Sequence, residues 1–109
     1  MRISELQDEQ LRYDEDYWEV NSPPKAKLDH VFKHLTKTVG KLAGIVERHD
    51  HGSRELDHQL SEEVIPDLLM HTLQLTNLTK TNLRELYLSR LERNKGRIKQ
   101  KRGQRIAVL

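Results

Sequence analysis

A serine followed by two prolines, Ser22-Pro23-Pro24, precedes apolar residues at Leu28, Val31, Phe32, Leu35, Val39, Leu42, Ala43 and Val46, and this stretch restricts the chain more than any other. Serine can cap a helix, and proline is tolerated in a first turn whose amides have no partner inside the helix. Apolar positions three and four apart define one wide stripe. The pattern predicts a long helix from Pro23 to about Glu47, with the stripe as its core side. Such a helix must bury its stripe against other elements. Nothing else in the sequence alternates with period two, and no hairpin dipeptide lies between β-branched runs. The expected fold class is all-α.

The other helices follow from their start signals. Ser4 with Gln7 three residues later forms a capping box and predicts a short peripheral helix from Ser4 to Arg12. Arg48 to Gln59 has no apolar period and contains Gly52 and Ser53, so it reads as a polar loop. The next helix is expected to open at Ser61, with Glu62 and Glu63 in its first turn and Pro66 just inside the start. Ile65, Leu68, Leu69, Thr72, Leu73 and Thr76 trace its face to about Leu78. Thr79 to Thr81 form a turn, and Asn82 with Glu85 opens a last helix whose core side is Leu83, Leu86, Tyr87 and Leu91. Long helices joined by short turns pack as antiparallel neighbours.

At 109 residues the chain is one domain with a modest core, so self-association would add what a monomer lacks. Hydrophobic residues make up 35% and charged residues 33%, a polar composition that still lies outside the disordered range. The absence of cysteine excludes disulfides, thiolate metal sites and a cysteine nucleophile, and fits a reducing compartment. No apolar run approaches the roughly 20 residues that span a bilayer, and the acidic start is unlike a signal peptide. A cytoplasmic protein without membrane contact is expected. Charge is lopsided: acids crowd Glu5 to Glu19, and bases dominate from Arg90 to Arg105. Opposed ends can pair within an oligomer, or the basic end can contact nucleic-acid backbone weakly and in a salt-sensitive way. The division expected is an acidic arm over 1–22, a helical domain over 23–98 and a basic tail over 99–109.

Three phrases in order carry a family resemblance: H-L-T-K-T-V-G-K-L-A from His34, D-L-L-M-H-T-L-Q-L-T-N-L from Asp67, and L-R-E-L-Y-L-S-R-L-E-R-N-K-G-R from Leu83. From about Lys27 to Arg97 the chain resembles the MazG-like, all-α nucleoside triphosphate pyrophosphohydrolases. The resemblance implies a helical bundle whose four-helix core is completed in a homodimer or homotetramer. In that family, glutamates of a first motif, E-E-x-x-E, and a Glu and an Asp of a second hold magnesium on the triphosphate and activate a water. Carried over, the first-motif acids fall on Lys37, Thr38 and Lys41, the second Glu on Val64 and the Asp on Asp67. Hard cations need oxygen ligands and a negative site. The resemblance with these replacements implies a non-catalytic relative, without a metal cofactor, that keeps nucleotide or phosphate binding or a protein-interaction role. The alternative is an active pyrophosphohydrolase using magnesium or manganese at a relocated or intersubunit site, with Asp67 as its remaining catalytic acid. Asn94 and Lys95 match family positions near the substrate phosphates.

Other readings come from the residues alone. Lys37 and Lys41 can pair with Asp67, bind phosphate without cutting it, or face water opposite the apolar stripe. His30 with His34, and Asp67 with His71, are two i,i+4 pairs that would form a nitrogen-and-oxygen site for zinc or a similar metal if they converged. His49, Asp50, His51, Asp57 and His58 read as an ordinary polar loop that titrates near neutrality. Trp18, with Tyr13 and Tyr17, packs against the bundle or a partner subunit, or stacks a base.

Overall fold

Pro24 opens a long helix, as the double proline predicts, in a computed structural model that describes residues 1–17, 22–52 and 56–108. The elements are α1 (Ile3–Tyr17), α2 (Pro24–Asp50), α3 (Leu56–Gln59), a π-turn (Leu60–Val64), α4 (Ile65–Leu78) and α5 (Leu83–Val108). The fold is all-α, with no strand among the described residues. Ser22 supplies no cap bond; the Pro23 carbonyl accepts the first-turn amide of Lys27 at 3.2 Å. α2 runs three residues past the expected Glu47. It stops where the Gly52 amide turns back to the His49 carbonyl at 3.0 Å with φ +88°, a conformation glycine adopts freely.

The expected helix start at Ser61 is not there. The chain is already helical from Leu56 and continues through the π-turn, where the Ile65 amide donates to the Leu60 carbonyl. Pro66 explains the wide turn: it has no amide for the preceding turn and its ring crowds that turn's carbonyl, so one extra residue per turn relieves the clash. The polar loop is correspondingly shorter than Arg48 to Gln59. Asn82 caps α5 as predicted, its Oδ1 accepting the Glu85 amide at 3.1 Å. α5 then continues without interruption through residues 99–108.

α4 is the middle of a helical layer, with α1 on one side and α2 on the other. The pairs Lys41 with Glu63 and Thr38 with His71 show that α2 and α4 run antiparallel. α5 joins the layer through α1, and most of its length stands free of the other described helices. The radius of gyration is 18.4 Å. A compact chain of this length would give about 13 Å, so the bundle is open.

Among the described residues the buried apolar side chains are Val31, Ile45, Val64 and Leu73. α2 presents Val31, Thr38 and Ile45 to the interior, spaced by seven residues. The neighbouring series Phe32, Val39 and Val46, which the stripe places in the core, is exposed at 65%, 52% and 53%. Leu28 and Ala43 are exposed as well, and Leu35 and Leu42 are half-buried. The helix is thus turned by about one residue, 100°, from the orientation its apolar stripe suggests. In this orientation the Thr38 hydroxyl meets the buried His71, which an apolar side chain could not satisfy.

α1 extends to Tyr17 rather than ending at Arg12, and it is no peripheral arm. Its buried residues are polar: Gln7, Gln10 and Asp14. The Asp14 carboxylate accepts from Gln10 at 2.9 Å and from Gln74 at 3.1 Å, and Gln7 bonds Thr76 at 3.0 Å. The α1–α4 contact is a hydrogen-bonded polar seam.

Candidate functional site

The α2–α4 contact places side by side the positions at which the resembled family would gather its acids. Lys41 reaches across from α2 and donates its Nζ to Glu63 Oε1. That bond is the main cause holding the Glu63 carboxyl below its ordinary value and the Lys41 ammonium above its own. Asp67, one turn along α4, adds to the pull on Lys41, and Lys37 adds to that on Glu63. Two lysines and two carboxylates therefore face one another across the helices. Lys41, opposite the apolar stripe, is half-buried against the π-turn rather than facing water, while Lys37 on the same side is exposed. Pairing with Asp67 is one of the readings open to Lys41 in the sequence; the hydrogen-bonded partner is Glu63.

The remaining positions are closed to metal chemistry by their own contacts. Val64 is fully buried in the apolar core. The Thr38 hydroxyl donates its one proton to the His34 carbonyl at 3.0 Å, so at the 2.9 Å contact with His71 Nε2 it is the acceptor. That arrangement assigns the His71 proton to Nε2, and Nδ1 is buried with no hydrogen-bond partner among the described residues. Carboxylate is scarce and ammonium is in its place, so the residues present do not fit a hard dication held between α2 and α4.

His30 and His34 stack on one another with ring centroids 4.3 Å apart on the exposed side of α2. Burial, with His34 and Lys33 adding, lowers the His30 pKa. His71 is turned inward to Thr38, so the four-residue set His30, His34, Asp67 and His71 does not converge. Among the described residues no three histidine or acidic side chains form a metal-binding group. The histidines fail to meet because the register that packs Thr38 on His71 leaves His30 and His34 facing away.

Asn94 and Lys95 belong to α5 and are not brought to Lys37 and Lys41, because α5 meets the layer through α1. Asn94 accepts from Arg97 at 2.7 Å, and Lys95 pairs with Glu92 at 3.0 Å. Tyr13 and Tyr17 stack at 4.8 Å on α1, while Trp18 lies outside the described residues. No family model, curated protein or solved structure matches this chain. No helix among the described residues is long and apolar enough to cross a membrane.

The Lys41–Glu63 bond gives the contact a pH signature. Glu63 is held low, so its stabilisation is complete above the ordinary carboxyl value of 4.5 and is lost as pH falls through the folded value below it. Lys41 is held high, so its share persists below 10.5 and is lost only as pH rises past that. Replacing Glu63 by Gln is expected to flatten the acid limb of a denaturation-midpoint curve below pH 4.5 while leaving the neutral region near its original shape. An unchanged acid limb would remove Glu63 as its source.

Proposed function

We propose that this chain is a non-catalytic, MazG-like helical protein whose role is protein interaction, beginning with self-assembly. The observation that carries the reading is the Lys41–Glu63 ion pair beside buried Val64: side-chain charge and apolar packing occupy the positions where the resembled family holds a metal. An ammonium bonded to a carboxylate is also a poor phosphate ligand, because the carboxylate repels the incoming anion. Phosphate capture at Lys37 and Lys41 is therefore the weaker variant of this reading. The open bundle and the exposed apolar residues of α2 favour an assembly role, in which further copies complete the bundle as a homodimer or homotetramer.

Pyrophosphate release from a panel of nucleoside triphosphates with magnesium or manganese tests the catalytic half. Release equal to that of an Asp67→Ala preparation is expected. Turnover that exceeds the Asp67→Ala control would restore the pyrophosphohydrolase alternative.

A second reading is favoured by one feature of α5. Its bases, among them Arg90, Arg93, Arg97 and Lys101, lie exposed along a helix free of the layer, as a backbone-binding nucleic-acid contact requires. Oligonucleotide binding left unchanged by Arg90→Glu, Arg93→Glu and Arg97→Glu together would count against this surface, and binding left unchanged by deletion of residues 99–109 would count against the tail.

A further inference from the structure

The exposed side of α2 is palindromic, and we infer that two copies pair through it, antiparallel, about a two-fold axis at Val39 and Gly40. The inference deepens the self-assembly part of the reading above and is independent of its catalytic part. Phe32, Val39 and Val46 lie in one line seven residues apart, and all three are more than half exposed. Reversing the helix about Val39 sets Phe32 against the partner's Val46 and Val39 against the partner's Val39. Reversal about the point midway between Val39 and Gly40 brings Thr36 to the partner's Ala43.

Charge agrees with that axis. Lys33 and Glu47 flank Gly40 by seven residues on either side, both exposed, and neither has an ion-pair partner among the described residues. The two-fold places Lys33 near the partner's Glu47, twice per dimer, so the ends of the contact are complementary. Lys41, which would repel across a symmetric contact, is turned instead to Glu63 of the π-turn. A parallel pairing would set Lys33 on the partner's Lys33 and lose this match.

Gly40 supplies an independent observation. A glycine in the middle of a helix weakens it relative to alanine. Among the described residues nothing requires it: a Cβ at Gly40 would meet none of their atoms within 4 Å. It stands at the axis, where two helix backbones approach most closely and a side chain would hold them apart.

The chain contains no cysteine, so single introduced thiols report proximity cleanly. Under mild oxidation Val39→Cys is expected to cross-link to its own copy. Lys33→Cys alone and Glu47→Cys alone should not, because antiparallel pairing separates each from its own counterpart by 14 residues of helix, about 21 Å. A mixture of the two should give the heterologous cross-link. Val39→Glu should keep its helix content and weaken dimerisation at least ~30-fold in sedimentation. A native chain that is monomeric at tens of micromolar overturns the proposal, as does cross-linking of Lys33→Cys with itself or a dimer untouched by Val39→Glu. None of these readouts depends on nucleotide turnover.

Discussion

Val64→Glu should destabilise the protein by about 3 kcal/mol or more, although it restores the residue type that the resembled family carries at this position. Val64 has no solvent exposure and is one of the few fully buried apolar side chains in the described structure. A carboxylate there loses its hydration, and Lys41, which donates to the neighbouring Glu63, is already engaged. The group would have to be buried charged or stay protonated, and each one-unit rise in its pKa corresponds to about 1.4 kcal/mol. Against a total stability of roughly 5–15 kcal/mol this is a large fraction. The measurement is the urea midpoint and slope of Val64→Glu beside Val64→Ala, which separates lost packing from added charge. Equal stability of Val64→Glu and the parent would mean that position 64 reaches water or a lysine.

The start of α2 and the cap of α5 are legible in the sequence because both rest on local chemistry. Pro24 and Asn82 act on amides within a turn of themselves, and the structure places both elements there. Which face of α2 packs is not local. Val31-Thr38-Ile45 and Phe32-Val39-Val46 are neighbouring lines on one helix, and periodicity supports either as the inner one. The deciding contact is the Thr38 hydroxyl on His71, 33 residues away, which no helical pattern encodes. Pro66 misled for a related reason: proline signals a helix start and a π-turn alike, since both relieve the same missing amide. Of the candidate site, the absence of carboxylates at Lys37, Thr38, Lys41 and Val64 is plain in the sequence. The pairing of Lys41 with Glu63 rather than Asp67 depends on the helix register and had to be seen.

Gln7→Ala is expected to cost about 2–3 kcal/mol and to loosen the start of α5 before the rest of the molecule. A glutamine on a helix otherwise rich in acids looks like a surface residue, yet Gln7 is 8% exposed. Its Nε2 donates to Thr76 Oγ1 at 3.0 Å and to the Thr81 carbonyl at 2.9 Å, while its Oε1 accepts the Leu83 amide at 3.3 Å. One side chain thus ties α1 to the end of α4, to the turn and to the first residue of α5. Its backbone carbonyl adds a fourth bond, from Asn77 at 3.0 Å, which the substitution leaves in place. Alanine leaves the Thr81 carbonyl and Leu83 amide without these partners, and that loss falls at the joint through which α5 is held to the layer. Amide exchange should therefore accelerate first over residues 83–86, with α2 and α4 protected until global unfolding. Gln7→Glu discriminates the cause: a carboxylate still accepts from Leu83 but cannot donate to Thr81, so it should recover part of the protection at Leu83 and little at the turn. Equal loss of protection along the whole chain would assign Gln7 to general packing, and the free length of α5 would then be fixed by something other than this joint.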